Sequence, residues 1–240
     1  MIKVLIWNEN IHEQRDKEPM EIYPNGMHNT IKDFLQCDDI SVTYATLDME
    51  NCGITKELLR ETDVLIWWGH TAHDQVPDEI ADMVHQRVLA GMGLVVLHSA
   101  HHSKVFRRLM GTNCNLMWRV GDRERVWCVI PSHPIAQGIP AQFELEIEEM
   151  YGEPFTIPTP DEVVFMGWFA GGEVFRSGVT YRRENGKIFY FQPGHESYPT
   201  FHNPHIQQII RNAVRWAKAD FPTPQIWCPN HENLEKARGE

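Results

Sequence analysis

The first half of the chain alternates short apolar runs with segments whose apolar residues recur at helical spacing. Continuous apolar runs are typical of strands covered on both faces, and apolar residues at every third or fourth position are typical of amphipathic helices. The alternation predicts an α/β fold with a mostly parallel central sheet. The predicted strands are 2–7, 40–46, 64–68 and 94–98, and helices are expected around Met27–Leu35, over 55–62 and from Pro77 to Gly91.

The second half of the chain has a different pattern. Frequent prolines interrupt residues 119–160, so this part is expected to form irregular strands and loops. Further on, Asn185-Gly186 between two apolar runs is the signal of a tight β-hairpin. A final helix is expected after it, with Asn203 as its N-cap and Pro204 in its first turn.

The domain organisation follows from the absence of repeats, low-complexity segments and linkers. We expect one α/β domain over residues 1–220 and a tail over 221–240. The tail carries Trp227 between prolines and is too apolar to be left in solvent. It is expected to dock on this subunit or on a neighbouring one, within a homo-oligomer.

Composition indicates which partners and which cellular compartment are expected. The formal net charge of −11 disfavours nucleic acid and favours a small neutral or cationic molecule, or a metal ion. No apolar run approaches the roughly 20 residues that span a bilayer, and the apolar amino terminus turns polar without a cleavage site, so neither a membrane protein nor a secreted one is expected. Five cysteines, an odd number without CxxC pairs, indicate free thiols in the cytoplasm.

Polar residues that could do chemistry follow the predicted strands. In open parallel sheets, ligands bind beyond the carboxyl ends of the strands, where these side chains would meet. At three of these strand ends lie six of the 13 histidines of the chain. The substrate-binding candidates are Glu9, Gly69, His70 and His73, and the catalytic candidates are Ser99, His101, His195 and Glu196.

Ser99 has two interpretations. A serine between a strand and a helix could be the nucleophile of a G-x-S-x-G elbow, with His195 and Glu196 as its base and orienting acid. The flanking positions here are Leu97 and His101, however, and neither is glycine. Ser99 could equally be the N-cap of the following helix.

The histidines suggest a second kind of site. Imidazoles and carboxylates that converge from separate loops suit a transition metal and leave room for water and substrate. No strict zinc motif is present in the sequence. We expect His70, His101 and His195 to bind a divalent metal, with zinc or manganese favoured, and we expect no nucleotide cofactor. His98 ends a buried strand and could be either a core residue or a functional one.

Several blocks of the sequence resemble one family. DVLIWWGHTAHDQVPDE, GLVVLHSAHHS, HPIAQGIP, EEMYGE and GKIFYFQPGHESYPTFHNP, in this order, are similar to the ThuA family of trehalose-utilisation proteins. The resemblance implies a flavodoxin-like, three-layer fold of the class I glutamine amidotransferase type. It also implies that Ser99 lies at or beside the position of the amidotransferase cysteine, and that His195 and Glu196 match the histidine and glutamate that pair with it.

The function implied by this resemblance is sugar catabolism. The elbow cysteine and its glycines are missing, so hydrolysis of glutamine is not expected. Family members are associated with trehalose and with dehydrogenases that make 3-keto sugars, which implies an enzyme that cleaves an oxidised disaccharide. A serine hydrolase and a non-catalytic sugar-binding regulator are the alternatives.

Overall fold

The computed structural model describes residues 1–219 together with Asn230, Glu232 and Glu235. The expected docking of the tail and of Trp227 lies outside the described residues. Helices are α1 (His12–Arg15), α2 (Lys17–Ile22), α3 (Met27–Leu35), α4 (Lys56–Glu61), α5 (Asp78–Leu89), α6 (Lys104–Met110) and α7 (Pro204–Ala217). Strands are β1 (Ile2–Asn8), β2 (Ile40–Thr46), β3 (Val64–Trp68), β4 (Gly93–Leu97), β5 (Met117–Cys128), β6 (Gln142–Gly152), β7 (Glu162–Phe169), β8 (Val174–Arg183) and β9 (Gly186–Phe191).

The described strands form a single sheet in the order β2-β1-β3-β4-β9-β8-β7-β5-β6. From β2 to β9 neighbouring strands are parallel, and helices cover both faces. Alternate residues of β1 therefore enter different cores: Leu5 and Trp7 pack with α4, α5 and α6, whereas Val4 and Ile6 pack with α3 and α7. The α/β prediction is confirmed for this half, including the Asn203 cap of α7, which accepts hydrogen bonds from two backbone N–H groups.

The other half of the sheet corrects two predictions. From β9 to β6 every pairing is antiparallel, so the sheet is mixed and not mostly parallel. Residues 119–160 were expected to form irregular strands and loops, and they hold most of β5 and all of β6, two long strands with register shifts in their pairing between Arg119 and Glu124. Their prolines lie in the connections and not inside the strands, and charged side chains along the exposed face hide the apolar signal in the sequence.

The hairpin of β8 and β9 is confirmed, with one difference in its turn. Arg183 pairs with Gly186, so the two turn residues are Glu184 and Asn185, and Glu184 has a positive φ of 45°. Gly186 is required for packing: a Cβ atom there would lie 2.2 Å from the carbonyl oxygen of Val88 in α5.

Candidate active site

A cavity of about 410 Å³ opens at the carboxyl ends of the parallel strands. His70 follows β3, Ser99 and His101 follow β4, and His195 follows β9, so four sequence-predicted residues share one cavity. The antiparallel half supplies its opposite wall, because β6 brings Glu149 and Tyr151 to the same place. The size and the mixture of polar and apolar walls are typical of a small-molecule site.

His98 occupies the strained position at the end of β4. Its φ of 52° is unusual for a residue with a side chain, and such outliers cluster at functional turns. A nucleophile elbow has this strand-to-helix geometry. Ser99 is therefore beside the elbow position and not at it.

His98 and Glu149 form a buried ion pair at the base of the cavity. Nδ1 of His98 donates to the carbonyl oxygen of Gln192 at 2.9 Å, and Nε2 lies 3.1 Å from the carboxylate of Glu149. Burial lowers the pKa of His98, but the hydrogen bond and the charge of Glu149, with further carboxylates nearby, outweigh it and raise the pKa to about 8. Burial raises the pKa of Glu149, and His98 reverses this and holds the pKa below its usual value. The pair is ionised at neutral pH.

Ser99 does not cap a helix. Its Oγ lies 2.9 Å from the hydroxyl of Tyr151, whereas the N-cap of α6 is Ser103, which accepts a hydrogen bond from Phe106 N. The hydrogen bonds of the described residues include none between Ser99 and His195. The triad of Ser99, His195 and Glu196, the alternative from the sequence, is not assembled in this structure.

Glu196 is hydrogen-bonded to His70 instead. Its Oε1 lies 2.9 Å from Nδ1 of His70, while its Oε2 is 3.8 Å from Nδ1 of His195. Burial raises the pKa of Glu196, but the hydrogen bond with His70, with further imidazoles nearby, outweighs it and lowers the pKa to about 2. An ionised Glu196 accepts the Nδ1 proton of His70, which leaves a lone pair on Nε2 of that imidazole.

His195 has the opposite tautomer. The backbone N–H of Ser197 donates to Nδ1 of His195 at 3.1 Å, so the proton of the neutral ring lies on Nε2. Burial lowers the pKa of His195, the charge of His98 adds to this effect, and the pKa is about 4. In these tautomers Nε2 of His70 is a proton acceptor and Nε2 of His195 is a proton donor, and the two ring centroids lie 5.4 Å apart.

Two buried glutamates hold the loops that carry these histidines. Glu148 accepts hydrogen bonds from the backbone N–H groups of Gly194 and His195, and from the hydroxyl of Thr200 at 2.6 Å. Glu9 accepts hydrogen bonds from the backbone N–H groups of the loop after β3, at 2.8 to 3.0 Å. Glu9 was expected to bind substrate, but its carboxylate is occupied by the loop at 70–72.

Gly69 and His73 also lie near this loop. A Cβ atom at Gly69 would come within 3.4 Å of Oε2 of Glu9 and Nδ1 of His73, so glycine lets the loop close over Glu9. Burial lowers the pKa of His73 to about 4. His73 lines a neighbouring cavity rather than the one that holds His70 and His195.

The expected metal ligands are only partly brought together. Within the described residues, His70, Glu149 and His195 offer ligand atoms within 4.8 Å of one another, and so do His12, His70 and Glu196. His101 belongs to neither group: its Nδ1 donates to the carbonyl oxygen of Cys114 at 2.8 Å, which leaves the lone pair on Nε2, but its ring nitrogens are not within 4.8 Å of all the ligand atoms of either group. His195 is also a poor ligand as placed: Ser197 occupies the lone pair of Nδ1, and Nε2 carries the proton.

Sequence reasoning left the role of His98 open and missed three residues of this site: Glu148, Glu149 and Tyr151. All three lie in EEMYGE, a block that carried the family resemblance but fell in the part of the chain expected to form irregular strands and loops. Recognising β6 as a strand that reaches the cavity would have found them.

Comparison with known proteins agrees with this architecture. The sequence profile of the ThuA family, described as trehalose utilisation, matches residues 3–217. The structure is similar to a ThuA-like protein from Bacteroides uniformis (19% identity, 90% of each chain covered, TM-score 0.65) and to another from Parabacteroides merdae (16% identity, 93% of each chain covered, TM-score 0.67). It is also similar to a glutamine amidotransferase from Thermotoga maritima (10% identity, 90% of this chain and 97% of that chain covered, TM-score 0.53). No curated relative matches the chain.

The mixed sheet and the site at its strand ends define an α/β protein with a glutamine amidotransferase-like fold in which a histidine stands at the elbow. The chain belongs to the ThuA family. The part of the chain that the structure describes contains no helix long and apolar enough to cross a membrane.

Proposed function

We propose that this protein is a carbohydrate-catabolism enzyme that cleaves an oxidised, 3-keto disaccharide of the trehalose type at its glycosidic bond. The observation that carries the proposal is the pair of opposite tautomers. His70, backed by Glu196, has a free lone pair on Nε2, and the ring of His195, whose Nε2 carries a proton, lies 5.4 Å away in the same cavity. The trehalose-utilisation description of the family supports the substrate class.

The reaction that fits this pair is an elimination followed by addition of water. A ketone at C3 makes the hydrogen on C2 acidic, and Nε2 of His70 takes that proton. His195 donates a hydrogen bond to the ketone oxygen as negative charge develops there. The bond between C1 and the glycosidic oxygen then breaks, and the leaving oxygen takes up the proton from His70. Water adds to the new double bond, returning hydrogen to C2 and hydroxyl to C1.

The buried ion pair supports the base during this cycle. His70 becomes an imidazolium when it holds the proton from C2, and a cation is favoured by a neighbouring negative charge. Glu149 interacts electrostatically with His70 and lines the same cavity. His98 keeps Glu149 ionised and fixed in position, and it acts as a positioning residue.

Exchange of hydrogen at C2 tests the proposal. Purified protein is incubated with 3-ketotrehalose in D₂O, and the products are followed by NMR. We expect the keto monosaccharide to carry deuterium at C2, above the level in an enzyme-free control, and the His70→Gln variant to lose both cleavage and incorporation. Cleavage without incorporation at C2 would indicate the serine hydrolase. Binding without any cleavage would indicate the regulator.

A divalent metal, zinc or manganese, is the alternative electrophile, and the cluster of ligand atoms of His70, Glu149 and His195 favours it. Such an ion would polarise the ketone oxygen. The cluster fits only if His195 breaks its bond to the Ser197 amide. Elemental analysis of the purified protein, with cleavage measured before and after a chelator, decides between the two. Stoichiometric metal whose removal abolishes cleavage would support the metal.

We also propose a cytoplasmic homo-oligomer. Of the five cysteines, Cys37, Cys52, Cys114 and Cys128 lie in the described part of the chain and are free thiols, as expected of a reducing compartment. Trp118 is 64% exposed at the rim of the cavity, next to exposed Met117, and both suit burial against a second subunit. Sedimentation equilibrium tests this, and a monomer at micromolar concentration would contradict it.

A further inference from the structure

A second cavity, of about 300 Å³, adjoins the candidate active site. Thr71 and His102 line both cavities, so the two are neighbours on the same rim of the sheet. The second cavity, here called the polar cavity, has walls of charged and amide side chains. Besides Thr71 and His102, it is lined by His73, Asp74, Arg107, Asn113 and Asn115.

The loop after α6 places the side-chain amides of Asn113 and Asn115 in the wall of the polar cavity. His101 donates to the carbonyl oxygen of Cys114 at 2.8 Å, which fixes the loop from the side of the active site. Asn115 N donates to Oδ1 of Asn113 at 3.1 Å, and the hydroxyl of Thr156 also donates to that oxygen. Because Oδ1 of Asn113 is occupied as an acceptor, its NH₂ group is left as a donor.

Two charges of opposite sign lie in the walls of the polar cavity. Among the described residues, Arg107 makes no ion pair with an acid, and Asp74 makes none with a base. Burial lowers the pKa of His73 and that of His102, so both imidazoles are neutral at pH 7. The walls therefore carry one positive and one negative charge.

This balance selects the chemistry of the ligand. A phosphate or carboxylate group would be repelled by the negative charge of Asp74, and a cationic group would be repelled by the positive charge of Arg107. A neutral molecule with several hydroxyl groups can donate to the carboxylate and accept from the guanidinium and from Asn113. The net charge of the chain, −11, also disfavours an anionic ligand.

We propose that the polar cavity is a second sugar subsite, which holds the ring that leaves while the oxidised ring lies against His70 and His195. The assignment rests on the proposed function and deepens it, since it makes a disaccharide the substrate rather than a simple keto-glucoside. The apolar wall of the first cavity, formed by Leu116, Trp118 and Val120, suits the C–H face of the reacting ring.

Two substrates with the same reacting ring test the subsite. 3-Ketotrehalose has a second sugar, and methyl 3-keto-α-glucoside has a methyl group in its place. In Arg107→Ala we expect kcat/KM for the disaccharide to fall roughly 10-fold to 100-fold, the loss typical of a charged hydrogen bond, while the value for the methyl glucoside changes by less than about twofold. Arg182→Ala removes another exposed arginine, on β8, and should change neither value.

Asn113→Ala is the second variant and should show the same selective loss. Equal losses on the two substrates, or no loss on either, would overturn the subsite. If the wild-type protein cleaves neither substrate, the proposed function fails, and binding of unoxidised trehalose and of methyl α-glucoside by calorimetry tests the subsite separately. Weaker trehalose binding in Arg107→Ala, with methyl glucoside unaffected, would support the subsite. Trehalose binding unchanged by the substitution would overturn it.

Discussion

Oε1 of Glu196 lies 2.9 Å from Nδ1 of His70, although the two residues are 126 positions apart in the chain. The loop after β3 and the loop after β9 meet there because β3 and β9 both flank β4 and run parallel to it. The carboxylate of Glu196 is therefore hydrogen-bonded to His70, and Nδ1 of His195 accepts a hydrogen bond from the backbone N–H of Ser197 instead. It determines which histidine can accept a proton.

Glu196→Gln should slow the reaction without unfolding the protein. A neutral amide does not stabilise the imidazolium that His70 forms, and it can donate to Nδ1 and so select the wrong tautomer. We expect kcat on 3-ketotrehalose to fall roughly 100-fold or more, with a smaller change in KM. Glu79→Gln, at an exposed glutamate of α5, is the matched control. An unchanged kcat in Glu196→Gln would contradict the assignment of His70 as the base.

Ser99→Ala should cost much less than His195→Gln. The hydroxyl of Ser99 is hydrogen-bonded to Tyr151, and the elbow position beside it belongs to His98. We expect less than about a 10-fold loss of kcat/KM in Ser99→Ala and roughly a 100-fold to 10,000-fold loss in His195→Gln. Steady-state kinetics on 3-ketotrehalose gives both values. Complete inactivation of a folded Ser99→Ala protein would instead support the serine hydrolase.

His98 should make stability depend on pH above neutrality. Its pKa is about 8 in the folded protein, against 6.5 for an ordinary histidine, so its stabilising effect is full below pH 6.5 and is lost as the pH rises through 8. The difference corresponds to about 2 kcal/mol of unfolding free energy. His101 and His195 face the same group, but their pKa values are lowered, so they stay neutral over this range.

Urea unfolding of the wild type and of His98→Asn, at several pH values from 6.5 to 8.5, measures this effect. Asparagine tolerates the positive φ of this position and has no proton to lose. We expect the slope of unfolding free energy against pH to flatten in the variant. The same slope in both proteins would show that another group is responsible.

Gly186→Ala should destabilise the fold by about 1 to 3 kcal/mol. The new Cβ would lie 2.2 Å from the carbonyl oxygen of Val88, which is backbone of α5 and cannot turn away. Gly152→Ala is a matched control in another strand, because the nearest atoms to its Cβ would lie at 3.5 Å. Urea midpoints of the two variants should differ clearly, and similar midpoints would contradict the packing role of Gly186.

The parallel half of the fold could be predicted from the sequence because its strands are buried on both faces. Val64–Trp68 is apolar at every position, and α5 shows helical spacing, so each element carries its own signal. Apart from the hairpin of β8 and β9, the antiparallel half could not be predicted in this way. Strand β5 is exposed at its first five residues, carries several charges, and is followed by prolines that belong to the connection after it.

The sequence by itself determined that histidines gather at the ends of strands, because those residues follow apolar runs directly along the chain. Only the tertiary structure decided their roles. Whether an imidazole accepts or donates a proton depends on which atom touches its other nitrogen, and here those atoms come from Glu196 for His70 and from Ser197 for His195. The charge of His98 likewise depends on Glu149, which lies on the opposite half of the sheet. Such contacts join distant parts of the chain, so no local pattern of residues can specify them.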